Sequence, residues 1–221
     1  MKKFALIAAG GTGTRMNNPL PKQFLLLHNK PLIYYSIKRF LESYDDVQII
    51  LVLPSEYISI GREVIDKYFD NSRIRITEGG RTRFHSVQKG LELIGEESII
   101  FVHDGARCLI SKELIQRCYN NAVEYGTAIP VTPSTDSIRV IIGDENAPLE
   151  RDSIRFVQTP QTFHSQILLP SYKIDYKDKF TDEATVVEAH GMKVHLVEGE
   201  QNNIKITRPE DLAFAEVLLL Q

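Results

Sequence analysis

FALIAAGGTGTRMNNPLPKQF, residues 4–24, decides the reading of the chain. An apolar run, FALIA, passes directly into a glycine-rich turn, then one arginine, a proline-bounded spacer and one lysine. A strand that ends in consecutive small residues presents backbone N–H groups to an anion. The turn fits neither common phosphate template. A dinucleotide fingerprint needs a third glycine where Met16 stands, and the G-x-x-x-x-G-K-[ST] pattern is absent. What remains is a phosphate cradle with two cations, Arg15 and Lys22, at its edge. The prolines Pro19 and Pro21 hold the lysine's segment extended. The plain alternative is a tight strand-to-helix turn with solvated cations.

Outward from that turn, short β-branched runs alternate with helical patterns, the signature of a mostly parallel sheet covered by helices. Strands are expected at Phe4–Ala8, Val47–Leu53, Arg73–Thr77, Ile99–Val102, Ala128–Val131 and Val194–Val197. Leu32, Ile33, Ile37, Phe40 and Leu41 share one helical face, as do Phe84, Val87, Leu91 and Ile94. A third helix carries Leu114, Ile115, Cys118, Ala122 and Val123, capped by Ser111 and stopped by Gly126. Thr207-Arg208-Pro209-Glu210 reads as the capping box of a last helix. Residues 133–157 break the alternation. SIRVII, the polar GDENAPLE and IRFV read as strand, turn and strand, a hairpin arm that reaches a neighbouring subunit or forms a flap.

The 221 residues, 43% apolar, suit one domain with a sizeable core. A net charge of −3 gives no basic field for a nucleic-acid backbone. The two cysteines, Cys108 and Cys118, make no metal spacing and no disulfide framework, so a reducing cytoplasm is the expected setting. The basic, apolar start is too brief for a signal peptide, and no run is long enough to span a membrane. The six histidines are scattered and suggest no metal cluster.

The pattern A-G-G-x-G-[ST]-R-M followed by P-K-Q-F resembles nucleotidyltransferases that join a nucleoside triphosphate to a sugar or polyol phosphate. GGRTRFHSV (79–87), VHDGAR (102–107), RDSIRFVQTPQTF (151–163), FTDEATVVEAHG (180–191) and NNIKITRPEDL (202–212) follow in order. Together they resemble the 2-C-methyl-D-erythritol 4-phosphate cytidylyltransferase family of the non-mevalonate isoprenoid pathway. That resemblance implies a Rossmann-like α/β fold of the nucleotide-diphosphosugar-transferase type, one domain over residues 1–221, and a β-arm at 133–157 used for dimerisation. It implies an enzyme that transfers a cytidylyl group from CTP, releasing pyrophosphate, with Mg²⁺ or another divalent cation as cofactor.

The resemblance assigns Arg15, Lys22 and Lys205 as catalytic cations. Ala9, Gly10, Gly11, Gly13, Gly80, Arg83, Ser86 and Asp104 would hold the nucleotide, with Asp104 also the metal ligand. Arg107, Ser137, Arg151 and Thr159 would grip the methylerythritol phosphate. Asp104 also makes independent sense, since it ends the apolar run SIIFVHD, where α/β sheets present ligands. Its plain alternative is a helix cap or an ion pair with Arg107. Asp182-Glu183 reads equally well as a charged helix start after a Thr181 cap. Four positions depart from the family: the doubled Gly10-Gly11, Cys108 in place of proline, Ser137 in place of threonine and Asn202 in place of an acid. The doubled glycine also fits ribitol 5-phosphate cytidylyltransferases, the alternative of the same chemistry; a non-catalytic nucleotide-binding protein is the alternative of another class.

Overall fold

β1 (Lys2–Ala8) is an interior strand of the sheet, and the computed structural model, which describes residues 1–11 and 20–220, places parallel strands on both sides of it. One neighbour is β4 (Val47–Leu53), with β5 (Ile74–Glu78) beyond it; the other is β6 (Ser98–Asp104). Between β1 and β4 come two short strands, β2 (Leu26–Leu27) and β3 (Lys30–Pro31), which pair with each other. Beyond β6 the sheet turns mixed. β11 (Gln161–His164) runs antiparallel to β6 and to β7 (Thr127–Pro133). β10 (Arg155–Val157) is antiparallel to β7, whereas β12 (Leu196–Glu198) is parallel to it.

The central strands are buried on both faces, as parallel strands between helices must be. Period-two alternation sends Ala5, Ile7, Ile49, Leu51, Ile99 and Phe101 to one core. Phe4, Leu6, Ile50, Val52, Ile100 and Val102 go to the other. α1 (Leu32–Ser43), α2 (Ile58–Tyr68) and α4 (Lys112–Tyr125) cover the first face; α3 (Arg83–Leu91), α5 (Ser165–Ser171) and α6 (Glu183–Ala189) cover the second. A third, smaller cluster joins Leu27, Leu32, Cys108 and Ile206 to Ala215 of α7 (Pro209–Leu218). Cys108 is therefore an apolar packing residue, and burial pushes its thiol up to about 12.

Each expected strand and long helix is present, with ends shifted by a few residues. Ser111 caps α4 by accepting from the Leu114 N–H at 2.9 Å, and Gly126 ends it. Three local expectations need correction. The last helix is closed by Asp211, not Glu210: its carboxylate accepts from the backbone N–H groups of Thr207 at 2.7 Å and Arg208 at 2.9 Å. Asp182, not Thr181, caps α6 by accepting from the Thr185 N–H at 2.9 Å.

The third correction concerns the arm. Its hairpin pairs β8 (Ile138–Ile142) with β9 (Glu145–Leu149), so the turn is only Gly143-Asp144, with Gly143 at φ +62°. A two-residue hairpin turn needs positive φ, which glycine supplies without strain. ENAPL is thus a strand, and the IRFV segment returns to the main sheet as β10. Pro148 is tolerated because the hairpin is a separate two-stranded ribbon with open edges.

Candidate active site

The last pair of the β1–β6 ladder, Ala8 with Asp104, lies at the carboxyl edge of the sheet. There the chain leaves β1 through Ala9, Gly10 and Gly11 and leaves β6 through Gly105 and Ala106. A cavity of about 370 Å³ opens between these two segments, Lys22, the start of α3 and Lys205. Ala9, Gly10, Gly11, Lys22, Gly80, Arg83, Ser86, Asp104 and Lys205 lie where the sequence places a nucleotide site, and all nine residues line this one cavity. Gly13 and Arg15 lie outside the described residues.

Pro21 is extended and Lys22 opens a single 3₁₀ turn, Lys22–Phe24. The Lys22 ammonium donates to the Ile206 carbonyl at 2.8 Å, which ties the first motif to the last. Gln23, almost fully buried, donates to the Ala9 carbonyl at 2.7 Å and so fixes the exit of β1. On the opposite wall, Ser86 Oγ accepts from the Gly80 N–H at 3.0 Å and donates to the Thr82 carbonyl at 3.0 Å. A side chain on Gly80 would come within 2.5 Å of His85 Cβ and 2.9 Å of its carbonyl carbon, so only glycine fits this turn.

Charge in the cavity centres on Asp104. Its carboxylate accepts from Lys205 at 2.8 Å and from Arg83 at 3.1 Å. Burial alone would raise this carboxyl, but the charges of Arg83 and Lys205 prevail and hold it well below the usual carboxylate range. Arg83 also grips Glu183, at 2.5 and 3.0 Å, and Glu183 is fully buried. Behind Asp104, Thr159 Oγ1 accepts from the Asp104 N–H at 3.1 Å and meets His103 Nδ1 at 3.1 Å. The other ring nitrogen of His103 faces the Arg107 carbonyl at 3.0 Å, an obligate acceptor, so the proton belongs on Nε2. Burial pulls His103 down to about 4, and the ring is neutral at pH 7.

The remaining sequence candidates lie elsewhere. Arg107 does not line the cavity; it donates to the carbonyls of Asn203 at 2.6 Å and Val157 at 3.3 Å. Thr159 is buried as a support beneath Asp104. Ser137 and Arg151 line a separate cavity of about 500 Å³ at the base of the arm. Asn202 is exposed in a third cavity of about 590 Å³, between α1 and the 200–202 loop, and is not among the residues around Asp104. The missing acid at that position therefore leaves the Asp104 cavity intact.

Sequence reading missed Gln23, Glu183, Gln161 and Asn203. Gln161 bridges Asp182 at 2.9 Å and the Ala184 N–H at 2.8 Å, so the TPQT and TDEA motifs form one unit. Asn203 donates its side-chain amide to the Thr159 carbonyl at 2.8 Å, and its own backbone carbonyl accepts from Arg107. The only available signal was a polar residue inside a motif with no assigned task.

Among the described residues no three His, Cys, Asp or Glu side chains cluster as a closed metal cage. A lone carboxylate at the cavity floor, with oxygen chemistry and room above it, fits a hard cation that brings phosphate oxygens and water as its other ligands.

A sheet-edge cavity with a cradle of small residues, one carboxylate and converging lysines defines the class: a nucleotidyltransferase. Residues 4–221 match the family model described as 2-C-methyl-D-erythritol 4-phosphate cytidylyltransferase, and the chain belongs to that family. A relative of that name from Bacteroides fragilis is 41% identical over 219 residues, covering 99% of this chain and 100% of its own. One from Porphyromonas gingivalis is also 41% identical, covering 99% of this chain and 98% of its own. The solved 4-diphosphocytidyl-2C-methyl-D-erythritol synthase of Anaerococcus prevotii superposes with a TM-score of 0.85. It shares 27% identity and covers 100% of this chain and 99% of that one.

Proposed function

We propose that the cavity around Asp104 is the reaction centre for cytidylyl transfer, with its nine lining candidates as the nucleotide and catalytic groups. The chain is a CTP-dependent cytidylyltransferase of isoprenoid precursor biosynthesis acting on 2-C-methyl-D-erythritol 4-phosphate. A phosphate oxygen of the acceptor attacks the α-phosphorus of CTP. The bond from that phosphorus to the bridging oxygen breaks, and pyrophosphate leaves with the electron pair. The nucleophile is already an anion at neutral pH, so the protein's task is positioning and charge stabilisation.

The backbone after β1 cradles the triphosphate. Lys22 and Lys205, with Arg15 from the first motif, neutralise charge that grows on the phosphates, and Gly80, Arg83 and Ser86 shape the base end. Asp104 would hold Mg²⁺, which when bound would supply charge neutralisation to the reacting phosphates. The observation that carries this reading is the 2.8 Å pair of Lys205 with Asp104 in a cavity also lined by Lys22, Gly10 and Gly11.

The acceptor groups are supplied by the arm. Ser137 and Arg151 lie outside the nucleotide cavity of their own chain. The arm and the strand that follows it expose Ile141, Ile142, Leu149, Phe156 and Val157. Exposed apolar side chains on a projecting ribbon suit burial against a second copy, which would bring Ser137 and Arg151 to the partner's nucleotide cavity. No described helix is long and apolar enough to cross a membrane.

Pyrophosphate release from CTP and Mg²⁺ tests the reading directly. It is expected with 2-C-methyl-D-erythritol 4-phosphate, and far slower with ribitol 5-phosphate. Faster release with ribitol 5-phosphate would assign the acceptor to the other branch, and none with either would leave only nucleotide binding.

A further inference from the structure

Glu183 is a carboxylate with no exposed surface, and nothing in the nucleotide chemistry above uses it. Its position is over-determined. The Asp182 cap fixes the start of α6, and Gln161 of β11 holds both Asp182 and the Ala184 N–H. The Tyr172 hydroxyl donates to one Glu183 oxygen at 3.1 Å. Arg83 takes both oxygens in a two-point grip at 2.5 and 3.0 Å. The same guanidinium reaches Asp104, through Nε at 3.2 Å and Nη2 at 3.1 Å.

One cation is thus shared by two carboxylates. A divalent cation that takes Asp104 Oδ1 competes with Arg83 for that oxygen, whereas Oδ2 is held by Lys205 at 2.8 Å. A guanidinium largely out of water cannot be left unpaired at small cost. A fixed second carboxylate removes that cost, since Arg83 keeps its bidentate partner when Asp104 changes hands. We propose that Glu183 is a positioning residue: it holds Arg83 back from Asp104 so that Asp104 can take the metal of the metal–nucleotide complex. This role rests on the assignment of nucleotide and metal to this cavity.

The test is a double-mutant cycle read by Mn²⁺–CTP binding, followed through water-proton relaxation enhancement. The four chains are wild type, Glu183→Gln, Arg83→Met and the double variant, with Asp104→Asn as control. Without Glu183, Arg83 falls wholly onto Asp104, and Mn²⁺–CTP affinity drops about tenfold, the equivalent of one charge-assisted hydrogen bond. In the Arg83→Met background the same substitution causes no further loss of Mn²⁺–CTP affinity, because the competitor is gone. A merely structural Glu183 would weaken binding by the same factor in both backgrounds, and that result overturns the proposal, as does unchanged affinity in Glu183→Gln. Should Glu183→Gln fail to fold, Glu183→Asp carries the comparison: it keeps the charge, loses the two-point grip and weakens binding several-fold in the Arg83 background alone. An Asp104→Asn chain that binds Mn²⁺–CTP like wild type overturns the metal assignment and this proposal with it. Impaired Asp104→Asn beside unaffected Glu183→Gln overturns this proposal alone.

Discussion

The nucleotide cavity and the arm solve opposite problems. At the cavity every wall is tied to another by the chain's own groups: Gln23 to Ala9, Lys22 to Ile206, Lys205 to Asp104, Ser86 to Gly80. The arm is a lone two-stranded ribbon with Ile141 72% and Ile142 66% exposed, and its Arg151 pairs only loosely with the exposed Asp152 at 3.7 Å. An isolated hairpin of this kind is marginal in water. The difference teaches that one half of the proposed site is preorganised within a chain, whereas the half proposed for the arm has no such internal ties and needs a second copy to complete it.

The sharpest way to break that contrast is to damage the preorganised half. Lys22→Ala is expected to lower kcat by about 10²–10³, the usual cost of one donor aimed at developing charge. A near-normal kcat in steady-state assays would remove Lys22 from the catalytic set. On the other half, Arg151→Ala should cost about ten- to hundredfold in kcat/KM for the acceptor, leaving CTP binding intact. If the arm serves the partner's cavity, mixing the Lys22→Ala and Arg151→Ala proteins under subunit exchange restores about a quarter of wild-type activity, because each mixed dimer holds one intact site. No recovery would place both residues in one chain's site.

A smaller effect tests the base-end wall. Gly80→Ala forces a Cβ against the backbone of His85 and disturbs the Gly80–Ser86 bond. A loss of about 1–3 kcal/mol in thermal or denaturant unfolding is expected, with a raised KM for CTP. Unchanged stability and KM would mean that the wall yields freely, and the claimed rigidity of this half would fail.

What the sequence disclosed follows the same division. β1, β4 and β6 were readable because burial on both faces leaves continuous apolar runs, and Ser111 and Gly126 mark α4 through local chemistry. Lys22 and Asp104 were legible because each follows directly from a strand or a proline-bounded turn. Glu183 was not, since its partner Arg83 is 100 residues away and nothing local distinguishes a buried acid from a charged helix start. The arm misled because Pro148 and the acids of GDENAPLE look like loop chemistry, while the ribbon's open edges tolerate both. The last helix misled by one residue, because Asp211 can reach two backbone donors at once and Glu210 was the more familiar partner.

The smallest expected effect probes how dry the floor of the preorganised half is. His103 is held neutral, its value pulled down to about 4 by burial, whereas the unfolded chain takes up a proton near 6.5. Between those values the unfolded state binds more protons, so stability is full above about pH 6.5 and falls as pH drops toward 4, by about 1 kcal/mol per pH unit. Asp104 has the opposite charge type: with its carboxyl held low, its stabilising share persists above about 3.8 and is lost only below it. The two windows therefore separate. Denaturant unfolding at stepped pH should show a slope from 6.5 to 4 that His103→Asn largely removes, while His85, also held below its usual value by burial and Arg81, leaves a residue. A slope unaltered in His103→Asn would mean that water reaches the ring, and the floor beneath Asp104 would then be as open as the arm.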